Sequence, residues 1–79
     1  MSTREEIQEE RKKMRHLRWI VDLTVQLLYQ EDVSVPEMLK LVEATKRHVL
    51  TLFPDKEFQF ELIYRPRFNR IIQERLQSN

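Results

Sequence analysis

Residues 17–29, with the sequence LRWIVDLTVQLLY, decide the fold class of this chain. Placed on a helix at about 100° per residue, their apolar side chains cover an arc of roughly 200°. The arc contains Leu17, Ile20, Val21, Leu23, Val25, Leu27 and Leu28, with Thr24 among them. A helix that packs on one neighbour needs an apolar stripe of only about 100°. The stretch therefore predicts a core helix that meets two neighbours and also contributes to an association surface.

Two other interpretations of this stretch are disfavoured. The adjacent apolar pairs Ile20-Val21 and Leu27-Leu28 interrupt the period of two that a half-buried strand requires. The run is shorter than the ~20 residues of a membrane span, and Asp22 and Gln26 interrupt it. A peripheral membrane helix is disfavoured as well, because burying this face in lipid would remove the core from the bundle. No membrane partner is expected.

The composition favours one all-α domain. The 79 residues include no glycine and no cysteine, and the formal net charge is +1. Tight β-hairpins favour glycine, and both the P-loop and the dinucleotide-binding fingerprint require it. Without cysteine there is no disulfide and no thiolate zinc site, and no secretory leader is evident. We expect a single helical domain over residues 1–79 in the cytoplasm.

The N-terminal half of the first helix differs from its apolar second half. Thr3-Arg-Glu-Glu6 matches a capping box, so a helix is predicted from about Thr3 to Gln30. Its first turns are acidic, and a run of five basic residues follows from Arg11 to Arg18. Residues 1–16 are therefore interpreted as a projecting helical arm, either simply solvated or packed on a partner chain.

A second helix is predicted from Val35 to Phe53. Ser34-Val-Pro-Glu37 is a capping box with Pro36 in the first turn, where its missing N–H does no harm. Pro54 ends the helix, because the residue before a proline disfavours the α conformation. The linker from the first helix is short, so the two helices should be antiparallel neighbours.

The C-terminal third of the chain is less clearly patterned. Phe58, Phe60, Leu62 and Tyr64 alternate as in a strand, but no second strand is available to pair with them. We therefore predict a third helix from Lys56 to Tyr64, a break or kink at Arg65-Pro66, and a fourth helix with an apolar face. That face consists of Phe68, Ile71, Ile72 and Leu76. The fold class is an all-α small bundle of three to four helices with a long N-terminal helix.

No catalytic chemistry is evident in the sequence. His16 and His48 could meet across antiparallel helices, but a metal site needs further ligands, and no helical ligand pair supplies them. Cysteine is absent, and serine occurs only at positions 2, 34 and 78, without a base and an orienting group in a recognisable pattern. We expect no enzyme activity, no catalytic or metal-binding residues, no cofactor and no small-molecule substrate.

The wide arc of the first helix indicates a protein partner. Trp19 and Tyr29 lie on its two edges, and tryptophan is frequent among the residues that dominate binding energy at interfaces. The candidate interface comprises Met14, Leu17, Trp19, Ile20, Leu23, Leu27 and Tyr29. The chain is thus predicted to be a small helical interaction module, acting as a homo-oligomer, most simply a two-fold dimer, or as an accessory subunit.

The alternative function is nucleic-acid binding. Arg65, Arg67, Asn69 and Arg70 form a basic and amide-bearing cluster that could contact phosphates and bases. The net charge of +1 is far below that of a typical nucleic-acid module. The competing interpretation is that these arginines lie along the bundle and pair with nearby glutamates.

Overall fold

The computed structural model describes residues 3–77, and all of their secondary structure is helical. Helix α1 spans Arg4–Leu28 and helix α2 spans Val35–Leu52. A third helical stretch has three consecutive parts: a single turn, α3, at Glu57–Gln59; a π-helical turn at Phe60–Tyr64; and helix α4 at Arg65–Gln77. The predicted all-α bundle with a long first helix is confirmed.

Both predicted capping boxes are present. The Glu6 backbone N–H donates to Thr3 Oγ1, and the Thr3 N–H donates to Glu6 Oε2, each at 3.2 Å. The same reciprocal pair joins Ser34 and Glu37 at 3.3 Å. These bonds satisfy backbone donors that the first turn of a helix leaves without a partner. The starts of α1 and α2 are therefore determined by local sequence.

A break or a kink was predicted at Arg65-Pro66. The break is wrong, because the third stretch passes through this dipeptide without leaving helical geometry, although α4 does begin there with Pro66 in its first turn. Pro66 has no N–H to donate and would crowd the carbonyl of residue 62 in a regular α-helix. The π-helical turn ends at Tyr64, two residues before the proline, and closes with a bond from the Arg65 N–H to the Phe60 carbonyl. The wider turn thus accommodates the proline without ending the helix.

The hydrophobic core lies where α1, α2 and α4 meet. Its buried apolar residues are Leu17, Ile20, Val21, Leu28, Met38, Val42, Val49, Phe60, Phe68, Ile71 and Ile72. Two buried hydroxyls lie among them: Thr24 on α1 and Thr45 on α2 are 2.9 Å apart, and each can also donate to a carbonyl one turn earlier in its own helix. Among residues 3–77, no buried side-chain nitrogen or oxygen lacks a hydrogen-bond partner.

The molecule is elongated, with principal extents of 53 × 21 × 15 Å. Its Cα radius of gyration is 14.6 Å, whereas a compact domain of this length has about 12 Å. The cause is the first half of α1, where every residue from Thr3 to His16 is exposed. We call residues 4–16 the arm. Residues 1 and 2 of the arm predicted over 1–16 lie outside the described residues.

Candidate interaction surfaces

The predicted interface residues of α1 lie in different environments. Leu17 and Ile20 are buried in the core of the chain itself, although Leu17 also lines the groove described next. They are covered because α2 and α4 both pack on the centre of the arc. Met14, Trp19, Leu23 and Tyr29 are exposed, and Leu27 is partly buried. The exposed members lie on different sides of α1 and do not form one patch.

Met14 lies in an open groove between α1 and the third helical stretch, which we call the arm groove. Its volume is about 950 Å³. It follows α1 from Ile7 to Asp22, a rise of about 23 Å, and Tyr64 and Arg67 line it from the opposite side. The apolar lining consists of Ile7, Met14, Leu17, Val21 and the ring of Tyr64. The arm groove is therefore long enough for a helix of several turns to lie along it.

The arm groove is predominantly basic at its rim. The charged residues that line it are Arg11, Arg15, Arg18 and Arg67, together with Glu10 and Asp22. Four cations against two anions favour a ligand of negative charge. An amphipathic helix with acidic turns would match both the apolar floor and this rim.

A smaller pocket continues from the arm groove beneath Tyr64. Its volume is about 190 Å³, and it shares Met14, Leu17 and Tyr64 with the groove. Ile63 contributes to its lining while remaining mostly exposed. The apolar surface next to the arm is thus larger than α1 alone would provide.

Trp19 lies outside the arm groove, beside the contact of His16 with α2, and Leu23 is about 40° from Trp19 around α1. The Trp19 side chain is 60% exposed and stacks on His16, with ring centroids 6.0 Å apart and an interplanar angle of 24°. His16 in turn meets His48 of α2, with 3.1 Å between the two Nε2 atoms. The sequence indicated that the two histidines could meet across antiparallel helices, and the packing of α1 against α2 brings them into contact.

Tyr29 lies at the C-terminal end of α1 and is held by α4. Its hydroxyl donates to Glu74 at 3.4 Å, and Arg75 donates to the backbone carbonyls of Tyr29, at 2.9 Å, and of Gln30. The last turn of α1 carries no basic residue of its own. Arg75 therefore supplies the positive charge that the negative end of a helix dipole favours.

Arg65 belongs to a group of charged side chains, which we call the ion-pair cluster. Its members are Glu43, Lys46, Glu57, Glu61 and Arg65. Arg65 pairs with Glu43 of α2 at 2.8 Å and donates to Glu61 in the π-helical turn. Lys46 of α2 contacts both Glu61 and Glu57, the latter at 3.2 Å. The cluster joins α2 to the third helical stretch.

The cations of the cluster hold Glu61 in its charged form. Hydrogen bonds from Arg65 and then from Lys46 lower the pKa of Glu61 to about 2. The reciprocal effect of Glu61, followed by Glu57, raises the pKa of Lys46. Likewise, Glu61 and then Glu43 raise the pKa of Arg65. Arg65 is thus engaged with its own chain, as the competing interpretation of the basic cluster expected.

The remaining candidates for nucleic-acid contact are exposed on α4. Arg67, Asn69 and Arg70 all face solvent, and Arg67 also lines the arm groove. Because Arg65 is turned toward α2, the four residues do not form one outward-facing cluster. The surface that could contact phosphates is smaller than the sequence suggested.

Sequence reasoning missed the apolar surface of the third helical stretch. Phe58, Leu62 and Ile63 are exposed there, whereas Phe60 is buried. A helix was predicted from Lys56 to Tyr64, but no apolar face was assigned to it, so Phe58 was not distinguished from Phe60. Helical spacing separates the two residues by about 200°, and that signal was available in the sequence.

Within residues 3–77, no set of three or more histidine, cysteine, aspartate or glutamate side chains converges in a way that could hold a metal ion. None of the helices formed by this part of the chain combines the length and apolar character that a bilayer crossing requires. No family model, curated protein or solved structure matches the chain.

Proposed function

We propose that the chain is a helical interaction module that associates as a two-fold dimer, with the arm of each copy lying in the arm groove of the other. The observation that carries the proposal is the arm groove itself, which is open, has an apolar floor and runs beside an arm whose described residues are all exposed. Two-fold dimers are the commonest oligomers, and such an interface uses the same surface twice.

The dimensions of the arm support this occupant. Residues 4–16 form a helix of about 20 Å, and the arm groove extends over about 23 Å. Ile7 and Met14 are exposed on the groove side of the arm. In an antiparallel pair, the Ile7 side chain of one copy would approach Met14 of the other, and both would leave water. Burial of such side chains contributes about 1.5–3 kcal/mol each.

The charge distribution supports an antiparallel arrangement. The first turns of the arm carry Glu5, Glu6, Glu9 and Glu10, and a basic stretch from Arg11 to Arg18 follows. Antiparallel pairing brings the acidic turns of one copy beside the basic stretch of the other. It also sets the two helix dipoles in opposite directions, which is the favourable orientation. A parallel pair would bring like charges together.

Sedimentation equilibrium tests the proposal through two neighbouring substitutions that change the charge equally. Ile7→Glu places a carboxylate in the arm groove, and Gln8→Glu places one about 100° around the same helix, outside the groove lining. We expect Ile7→Glu to weaken dimerisation at least tenfold and Gln8→Glu to change it less than threefold. Trp19→Ala, about 140° around α1 from Met14, should leave the dimer intact.

Two results would overturn the proposal. The first is a chain that remains monomeric at 200 μM in low salt. The second is a dimer whose dissociation constant is the same for the Ile7→Glu and Gln8→Glu variants. Circular dichroism of each variant confirms that the bundle is folded, since residues 7 and 8 are exposed in the monomer.

Nucleic-acid binding through Arg67, Asn69 and Arg70 is the second candidate, and the engagement of Arg65 with Glu43 and Glu61 reduces its support. Titration with random duplex DNA at several salt concentrations separates the two candidates, because phosphate contacts give a steep negative slope in a log–log plot. A cytoplasmic location also stays a prediction, which cell fractionation can check.

A further inference from the structure

We infer that His16 and His48 form a two-histidine site for a divalent transition-metal ion such as Zn²⁺, Ni²⁺ or Cu²⁺, which would link α1 to α2. The inference is independent of dimerisation, because both ligands belong to one copy. It depends on the distance between the two ring nitrogens, their position on two fixed helices and their exposure to solvent.

The separation of the two nitrogens fits shared coordination. Their Nε2 atoms lie 3.1 Å apart. Two imidazole nitrogens that each lie 2.0–2.1 Å from a tetrahedral zinc ion are about 3.3 Å from one another. The separation therefore lies within a few tenths of an ångström of the value for shared coordination, and each ring would turn so that its lone pair points at the ion instead of at the other nitrogen. Imidazole is a preferred ligand for zinc, nickel and copper.

The backbones that carry the two histidines are held in place by the core. Leu17 follows His16, Val49 follows His48, and both apolar residues are buried. The Thr24–Thr45 contact joins α1 to α2 about two turns from His16 and less than one turn from His48. A site whose ligands are already positioned loses little conformational freedom when it binds.

Binding of the metal ion requires no net loss of a proton from the two histidines, and therefore no external base. In the metal-free pair, one Nε2–H donates to the other Nε2. When the ion binds, the ring that carried this hydrogen takes the tautomer with the hydrogen on Nδ1, and both Nε2 lone pairs coordinate the metal. Because the two histidines are exposed, water molecules can fill the remaining coordination positions.

Trp19 provides the probe for the test. It is the only tryptophan of the chain, and its ring lies 6.0 Å from that of His16. Bound Ni²⁺ should quench its fluorescence, and Zn²⁺ in excess should compete for the same two nitrogens and restore the signal, whereas Cu²⁺ binds such ligands more tightly than Zn²⁺ and should resist this competition. Untagged protein in a non-chelating buffer at pH 7.5 is titrated with NiCl₂, then with ZnCl₂, and separately with MgCl₂ as a hard-cation control.

The variants His16→Gln and His48→Gln each remove one ligand, and Arg47→Gln is the matched control beside His48. We expect saturable 1:1 quenching in the wild-type protein and in Arg47→Gln. In both histidine variants the affinity for the ion should be at least tenfold weaker. Zn²⁺ at ten times its dissociation constant should also raise the Tm of the wild-type protein by about 5–10 °C and leave that of the double histidine variant unchanged.

Any of three results would overturn the inference. They are no saturable quenching below 1 mM Ni²⁺ or Cu²⁺, equal quenching by Mg²⁺, or loss of binding in only one of the two histidine variants. Circular dichroism is recorded for each variant, and the exposed positions of both histidines mean that their replacement should not unfold the bundle.

Discussion

Thr24 on α1 and Thr45 on α2 place their hydroxyl oxygens 2.9 Å apart inside the apolar core. Each hydroxyl can also donate to its own helix, Thr24 to the Ile20 carbonyl and Thr45 to the Leu41 carbonyl, both at 2.8 Å. Two hydrogens are available for three possible bonds, so the pair is satisfied in more than one arrangement. The two residues therefore behave as one polar unit within an apolar contact.

A double-mutant cycle tests this unit. Thr24→Val or Thr45→Val alone should destabilise the chain by about 1 kcal/mol, because the remaining hydroxyl loses its partner across the helices. The double variant should be as stable as the wild type or more so, since both polar groups are replaced by methyl groups of similar shape. Urea denaturation measures the cycle, and a double-variant loss equal to the sum of the single losses would contradict it.

The two phenylalanines at positions 58 and 60 should respond very differently to truncation. Phe60 is 1% exposed and Phe58 is 76% exposed, although only one residue separates them. Phe60→Ala should cost about 3–5 kcal/mol through lost burial and a cavity, whereas Phe58→Ala should stay within about 0.5 kcal/mol.

Thermal denaturation of the two variants distinguishes a helix from a strand at this segment. A strand would place both rings on one face and make the two losses similar. The Tm of Phe60→Ala should fall by more than 10 °C, and a comparable fall for Phe58→Ala would refute the helical assignment.

The ion-pair cluster predicts a dependence of stability on acidic pH. The pKa of Glu61 is lowered to about 2 in the folded chain from an unfolded value near 4.5. A lowered carboxylate pKa stabilises the fold fully above the unfolded value, and this stabilisation is lost as the pH falls toward the folded value. The contribution of Glu61 should therefore disappear between about pH 4.5 and pH 2.

Glu61→Gln isolates this contribution. The variant should be less stable than the wild type at pH 7, and the difference should narrow steadily as the pH is lowered from 5 to 2. Glu31→Gln, at an exposed position outside the cluster, is the matched control and should follow the wild-type profile. A constant difference between Glu61→Gln and the wild type over this range would be inconsistent with the cluster.

The hydrogen bonds from Arg75 should stabilise the C-terminal end of α1. Arg75→Ala removes donors to the Tyr29 and Gln30 carbonyls and should destabilise the chain by about 1–2 kcal/mol. Arg70→Ala, at an exposed site on the same helix, should change stability by no more than about 0.5 kcal/mol. Hydrogen exchange should show faster opening of the last turn of α1 in Arg75→Ala, and unchanged exchange there would argue against the cap.

The starts of α1 and α2 were predictable because their determinants are local. Thr3 with Glu6 and Ser34 with Glu37 lie within four residues, and their hydrogen bonds do not depend on the rest of the fold. The antiparallel packing of the two helices followed from the short linker between them. Local hydrogen bonding and the short linker thus decide where α1 and α2 begin and how they pack against each other.

The candidate interface was less predictable, because exposure depends on tertiary packing. The arc of α1 indicated an excess of apolar surface but not which part the third helical stretch would cover. Together with α2, that stretch covers Leu17 and Ile20, and it leaves Met14 in the arm groove. Arg65 shows the same limit, since its partner Glu43 lies on another helix and no spacing rule connects them.

The π-helical turn at Phe60–Tyr64 has a consequence for chain length. Its hydrogen-bonded loops enclose one residue more than those of an α-helix, so the turn is equivalent to a single-residue insertion. One residue corresponds to about 100° of rotation about the helix axis. The number of residues in this turn therefore sets the orientation in which Phe68, Ile71 and Ile72 meet the core. A one-residue deletion upstream would rotate that face by more than a quarter turn.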